Sequence, residues 1–372
     1  MDFIYLDNAA TTKPDEEIFV KSAQLYKTTY FNPSALYRGA MEAKKIIDAS
    51  RKKIENIFFG KSVMFTSCGT ESDNTAIFSF SKRGNIVTTE GEHSAVYKCF
   101  EQLKQKGVEV RYAKLRYGGA VDEEDLLSKI DEKTSFVSVV HVNNETGAIN
   151  DVNNLAKKVK EINPLTVFHS DGVQAFGKIA ADIENVHLYS VSAHKIGALK
   201  GTGCLLYNKN LHVQPLIFGG GQEGGLRSGT ENVLGITMFA ECAEKRYNAI
   251  LENYEKVTQL KAAFSDKLDG GLFKIISDEN ASPYIISFSA VGLRGQVVQS
   301  ILDDNGIIIG TGSACSSKAP HSRILSSFEK SKKVLDGALR VGLDYTTTFE
   351  QIEKCAEILN KKVSELSKKI NR

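Results

Sequence analysis

The sequence predicts an α/β fold, a mainly parallel seven-stranded sheet with helices on both faces, joined to a smaller α+β unit. Short β-branched runs alternate with helical apolar spacing from about residue 36 to residue 207, the pattern of a sheet covered by helices. Past residue 230 the alternation gives way to a long helical stretch, then to short strands and further helices. A length of 372 residues accommodates both units and a sizeable core without disulfides or metals to hold it.

Taken in order, Leu36, Ala40, Ala43, Ile47, Ile54 and Ile57 recur near helical spacing and predict a helix over 36–57. Strands are expected at Val63–Thr66, Asn85–Thr88, Glu109–Tyr112, Ser135–Val142, Leu165–His169, His187–Val191 and Gly203–Tyr207. Between them lie a helix at Ala95–Lys106, stopped by Gly107, and one at Val152–Ile162, closed by Asn163-Pro164. The second unit begins with a single helix from about Val233 to Leu268. Strands at Leu272–Ile276 and Tyr284–Ser289, a helix near Val297–Asp304, a strand at Ile307–Ile309 and a final helix from Phe349 complete it.

Composition excludes several classes of function. The 47 basic and 45 acidic residues leave a net charge of +2, which gives no general attraction to nucleic acid or to an anionic membrane. Lysines crowd the C-terminus, but Glu353, Glu357 and Glu365 interleave with them as on a solvated helix face. Six scattered cysteines with no C-x-x-C pair argue against a zinc site or a disulfide framework. No leader-like N-terminus and no apolar run of spanning length is present, so a reducing cytoplasm is the expected compartment.

The most informative segment is Ser192-Ala193-His194-Lys195, which follows an apolar strand. A lysine at a strand end either snorkels to solvent or uses its amine, for example as a nucleophile toward a carbonyl. Asp171 ends another strand and Gln174 follows it. In an open α/β sheet, ligands bind beyond the carboxyl ends of strands, where Asp171 and Lys195 both fall. Asp171 is there either as a turn or cap residue or as the partner of a pyridine nitrogen. Phe65-Thr66-Ser67-Cys68-Gly69-Thr70 runs from a strand through a small-residue turn into a helix, a start that attracts phosphate. Thr70 with Asp73 is alternatively a plain helix cap; for phosphate to bind, Glu71 and Asp73 must face elsewhere.

Cys315 sits among small residues in Gly312-Ser313-Ala314-Cys315-Ser316-Ser317, a loop-like context for either an incidental or a working thiol. Lys318, His321 and Arg323 are candidates to favour its thiolate. Gly219 to Gly229 holds six glycines in eleven positions, beside Arg227 and Thr230. That composition serves either unusual backbone angles near a ligand or a flexible connection.

Together these stretches, with Tyr5-Leu6-Asp7-Asn8-Ala9-Ala10, Glu92-His93, Asn143-Asn144-Glu145-Thr146-Gly147 and Arg227-Ser228-Gly229-Thr230, resemble the cysteine desulfurases. These belong to the class V aminotransferase-like group of fold type I pyridoxal-phosphate enzymes, and the resemblance runs almost end to end. It implies a large cofactor-binding domain at 14–255, and a small domain at 1–13 with 256–372 that carries the cysteine loop. It implies that Lys195 binds pyridoxal 5'-phosphate covalently and moves protons, that His93 stacks on the ring, and that Asp171 pairs with its nitrogen. Gln174 would contact the phenolic oxygen; Thr70, Ser192 and His194 would hold the phosphate, with Gly69 among the cofactor contacts. Thr230 would reach the phosphate of the opposite subunit, which implies a homodimer. Asn144 and Arg340 would bind the carboxylate of L-cysteine, and Cys315 would take its sulfur as a persulfide, leaving alanine. The Ser-Ala-Cys context resembles the subgroup that passes sulfur to acceptor proteins, for iron–sulfur cluster assembly or tRNA thiolation.

The sequence departs from the family at Cys68, at Gly224 where arginine is common, and at Gly342-Leu343-Asp344-Tyr345, which is shorter and lacks the usual serine. The competing expectations are a selenocysteine lyase or other β-lyase of the same fold, and a catalytically silent scaffold for sulfur carriers. A nicotinamide dehydrogenase is excluded for want of G-x-G-x-x-G after the first strand of the sheet.

Overall fold

A computed structural model describes residues 3–81, 84–311 and 321–370. Its strands, in chain order, are β1 (Ile4–Leu6), β2 (Lys61–Thr66), β3 (Asn85–Thr89), β4 (Glu109–Ala113), β5 (Thr134–Ser138) and β6 (Val167–Asp171). There follow β7 (Leu188–Ser192), β8 (Gly203–Asn208), β9 (Phe273–Ile275), β10 (Ile285–Ala290), β11 (Ile307–Thr311) and β12 (Ala338–Gly342). A seven-stranded sheet has the order β2-β8-β7-β6-β5-β3-β4, and a five-stranded sheet the order β1-β11-β12-β10-β9.

In the larger sheet β8 runs antiparallel to both of its neighbours, β2 and β7, while the remaining pairs are parallel. β2 therefore points the same way as β3, β5, β6 and β7. The carboxyl ends of all five strands open on one edge, and the loops that carry Gly69, His93, Asn144, Gln174 and Lys195 leave there. Successive side chains of a strand point to opposite faces, and the core divides accordingly. Val63, Phe65, Val87, Val137, Tyr189 and Val191 pack on one side. Met64, Ile86, Phe136, Leu188 and Leu205 pack on the other. Apolar residues on both faces explain why these strands read as continuous apolar runs.

The helices differ from expectation at one informative place. The single helix expected over 233–268 is two, Val233–Asn248 and Ile250–Lys267, broken at Ala249. The first buries Ile236, Phe239, Ala240 and Ala243 in the core of the larger sheet. The second buries Val257, Leu260 and Phe264 against the smaller one. One straight helix cannot aim its stripe at both cores, so the chain turns where it changes allegiance. A buried ion pair marks the crossing: Arg246 meets both oxygens of Asp344 at 2.6 and 3.0 Å and covers the Tyr345 ring at 4.2 Å.

β1 and β12 were absent from the strands expected, both being short; β12 carries Arg340 at its centre. β1 pairs in parallel with β11, and Asn8 donates its side-chain amide to Gly342 O at 2.9 Å. The N-terminal segment is thereby tied to the smaller sheet before it passes along the edge of the larger one. Gly224, where the family has arginine, adopts φ 66°, a left-handed conformation that suits glycine. Its neighbour Glu223 shares that region at φ 49° and is held by Arg51 at 2.7 and 2.8 Å. Among the described residues no helix is long and apolar enough to cross a membrane.

Candidate active site

The strand ends meet at a cavity of about 280 Å³. Gly69 and Thr70 reach it after β2, His93 after β3, Asn144 after β5, Asp171 and Gln174 at and after β6, and Ser192, His194 and Lys195 at and after β7. From the other sheet come Arg340 on β12 and the backbone of Ala9 and Ala10 after β1. Ten of the site residues named from the sequence therefore share one cavity: Gly69, Thr70, His93, Asn144, Asp171, Gln174, Ser192, His194, Lys195 and Arg340. Thr230 lies apart, exposed on the glycine-rich segment. Cys315 and Lys318 lie outside the described residues.

The turn after β2 brings an uncapped helix start to the cavity. The helix Gly69–Phe80 starts with Cys68 as its N-cap, in extended conformation and with no side-chain cap bond. Its first backbone N–H groups have no intrahelical partner, and the helix dipole favours negative charge there. A Cβ on Gly69 would stand 2.8 Å from Cγ2 of Val173, so the close approach of these two loops demands glycine. Glu71 turns away as the anion reading requires: it accepts from Ser67 Oγ at 2.6 Å and from Arg227 Nε at 3.0 Å.

Asp73 does not turn away. It lines the cavity, 1% exposed, with Oδ1 unbonded among the described residues and 3.5 Å from Nε2 of His169. Its place is one helical turn beyond Gly69, and its carboxyl shares the cavity floor with Asp171. Burial, reinforced by Asp171, holds the Asp73 carboxyl well above the usual range, so it is a neutral acid.

Asp171 is 5% exposed and accepts from Val173 N at 2.9 Å. Burial raises its pKa, while His93 and Lys195 act in the opposite direction. His93 caps the helix Ser94–Gln105, its Nδ1 accepting from Ala95 N at 3.2 Å. That bond places the proton of the neutral ring on Nε2, and burial keeps the ring neutral. His194 bonds Thr11 Oγ1 through Nδ1 at 3.0 Å, and burial beside Lys195 pushes it down to about 4. Lys195 donates from Nζ to Ala9 O and Ala10 O, each at 2.7 Å. These carbonyls were invisible to side-chain reasoning, because any residue type supplies them.

Arg340 gives Nη2 to Asp7 Oδ1 at 2.7 Å and Nη1 to Asn144 O at 2.8 Å. Its Nε and Asn144 Oδ1 are buried without hydrogen bonds among the described residues. One donor and one acceptor thus stand ready beside the cavity, a pairing that suits a zwitterionic amino acid. Arg323 has partners of its own, while the Cys315 thiol it was a candidate to favour lies outside the described residues. Its guanidinium donates to the carbonyls of Glu90 and Glu92 and lies 3.8 Å over Tyr97. His321 is likewise engaged, Nε2 with Asp336 Oδ1 at 2.7 Å.

Glu92, fully buried beside His93, gives a pH test of this acidic floor. Burial pushes its carboxyl up to about 8 from an ordinary 4.5, although Thr89 Oγ1 and Val140 N donate to Oε1 at 2.8 and 2.9 Å. A raised folded pKa means that stability is fully present below the unfolded value and is lost as pH rises toward 8. Glu92→Gln keeps both bonds and does not titrate. Its stability relative to the parent should therefore increase between pH 5 and pH 8, by at most about 4 kcal/mol. Urea unfolding at the two pH values checks this, and a constant difference would refute it.

Comparison with known proteins agrees with this geometry. The model of the Aminotransferase class-V family matches residues 4–355. A protein of Dictyoglomus turgidum named cysteine desulfurase IscS is 34% identical over 380 residues, covering 98% of this chain and 95% of its own. A solved structure titled NifS-like protein superposes with a TM-score of 0.91 at 32% identity, covering 98% of this chain and all of its own. Another, titled SspA in complex with cysteine, gives a TM-score of 0.80 at 25% identity, covering 92% of this chain and 99% of its own. The chain belongs to the class V aminotransferase family, within its cysteine desulfurase branch.

Proposed function

We propose that this chain is a pyridoxal 5'-phosphate-dependent cysteine desulfurase that converts L-cysteine to L-alanine and takes the sulfur onto Cys315. The observation that carries this is the convergence of Lys195, Asp171, His93 and the uncapped helix start at Gly69 on one cavity. An amine, a buried acid, a flat ring and an anion site are what a phosphorylated pyridine aldehyde requires. When bound, that cofactor draws electrons from the substrate's α-carbon.

The chain's own residues do the rest. Lys195 would hold the cofactor through Nζ, and the same amine would move the proton at the substrate's α-carbon. Asp171 would keep a proton on the ring nitrogen, His93 would cover the ring, and the Gln174 amide would donate to the phenolic oxygen. Thr70, Ser192 and His194, with the backbone at Gly69, receive the phosphate. Arg340 and Asn144 orient the substrate carboxylate. The Cys315 thiolate attacks the substrate sulfur; an S–S bond forms as the C–S bond breaks, leaving a persulfide on the enzyme. Thr230, outside its own cavity, serves the partner subunit of a homodimer. Acceptor proteins of iron–sulfur assembly or tRNA thiolation then take the sulfur. The two units, 14–255 and 1–13 with 256–372, frame the cleft from its two sides.

An absorbance spectrum followed by addition of cysteine tests the proposal: a yellow protein that yields alanine and a persulfide supports it. Cys315→Ser should keep the colour and lose persulfide and sulfide formation from cysteine, to below about 1% of the parent, since a hydroxyl cannot replace the thiolate. Sulfide release at parental rates would remove Cys315 from the mechanism. Alanine formation from selenocysteine alone would assign the chain to the selenium lyases instead.

A further inference from the structure

We propose that Lys178 is a positioning residue that fixes which way the Gln174 amide faces, and so provides the hydrogen bond to the cofactor's phenolic oxygen. The inference rests on the cofactor reading above. Lys178 is 1% exposed, among the most completely buried side chains of the protein, and it is absent from the cavity lining. A lysine is almost never fully buried unless it has a partner. Here the partner is Gln174: Nζ of Lys178 donates to Oε1 at 2.9 Å.

An ammonium has donors and no acceptor, whereas a glutamine amide has one face of each kind. Lys178 therefore requires the amide oxygen, and the amide nitrogen must face the opposite way. On that side Nε2 donates to Ala9 O at 2.8 Å. Flipping the amide would set NH₂ against the ammonium and oxygen against the Ala9 carbonyl, two repulsions in place of two bonds. Nε2 carries two hydrogens; one is on Ala9 O, and the second is left for the cavity that Gln174 lines. Gln174 is thus locked as a donor toward whatever occupies the cavity, which an unaided glutamine is not.

The network reaches the reacting amine as well. Ala9 O also accepts from Lys195 Nζ at 2.7 Å, so Lys178, Gln174, Ala9 and Lys195 form one chain of hydrogen bonds. The groups acting on Lys178 are Lys195, Arg246 and Arg340 with like charge, Asp344 with opposite charge, and the Tyr284 ring, 5.9 Å away. Burial and these cations push Lys178 down to about 7, so the donor-only ammonium that sets the Gln174 amide is the form present at and below that pH.

Lys178→Met keeps the length and removes the donor; Lys178→Leu serves where Lys178→Met does not fold. Lys178→Gln restores a donor without the charge. Each is compared with Gln174→Ala and with the double variant by thermal unfolding, by equilibrium dialysis of pyridoxal 5'-phosphate, and by the pH midpoint of the visible band of the loaded enzyme. Lys178→Met should weaken cofactor binding about three- to tenfold, the worth of one hydrogen bond, and shift the midpoint by roughly 0.5–1 pH unit. Lys178→Gln should restore most of both, and Lys178→Met should add nothing to Gln174→Ala. A parental midpoint and affinity in Lys178→Met would overturn the inference, as would equal effects in both backgrounds. A parent protein with no visible band would instead refute the cofactor reading itself.

Discussion

Lys195→Ala is expected to purify without visible colour and to lose alanine formation from cysteine by at least about a thousandfold, since it removes both the covalent anchor and the proton-transfer amine. The expectation follows from position. Lys195 sits at the end of β7 in the same cavity as Asp171, with its Nζ on the carbonyls of Ala9 and Ala10. Those carbonyls hold the amine at the cavity wall, and the Lys195 side chain packs in neither apolar core, so its truncation opens no core void. Removal is therefore not expected to unfold the protein. Circular dichroism of the variant should match the parent while the absorbance does not. An unchanged visible spectrum would show that another amine holds the cofactor and would remove Lys195 from the chemistry.

Much of this site was legible because its residues lie at strand ends. In a parallel sheet the carboxyl ends share one edge, so Asp171, Lys195 and Gly69 could be placed together once their strands were recognised. What stayed hidden has physical reasons. Arg340 itself was named from the sequence, but its strand β12 was not, because the central charge breaks a five-residue apolar run whose partner strands come from distant parts of the sequence. Asp73 read as an acid to be turned outward, since it stands in the first turns of a helix that starts at an anion site. The spacing of four from Gly69 was the available signal that it lies one turn deeper on the same face. Lys178 stands four residues after Gln174, but the segment between them is a series of turns, so the pairing needed the coordinates. The break at Ala249 was hidden because helical spacing on either side is intact; only the change of core forces it.

Asp171→Asn is expected to keep the colour and lose turnover by about a thousandfold. A carboxylate about 4 Å from a ring nitrogen, at an effective dielectric near 20, is worth roughly 4 kcal/mol before desolvation, and 1.36 kcal/mol is a factor of ten. The asparagine oxygen can still accept from Val173 N, the bond that Asp171 Oδ1 makes at 2.9 Å, so local geometry is conserved while the charge is lost. Three buried acids, Asp73, Glu92 and Asp171, share this cavity floor, and they do not have equivalent surroundings. Asp171 has the favourable neighbours: His93 and Lys195 both oppose the upward push of burial on its carboxyl. Asp73 has the neutral side, with His169 Nε2 already bonded to Ser190 Oγ at 2.9 Å and the imidazole uncharged through burial. Of the three, Asp171 is the acid whose neighbours oppose burial, and it is the one proposed to hold a proton on the ring. Steady-state turnover of the loaded variant decides the matter. A loss of less than tenfold would mean that the negative charge resides elsewhere on the cavity floor, and the electron-sink role would pass from Asp171 to one of its neighbours.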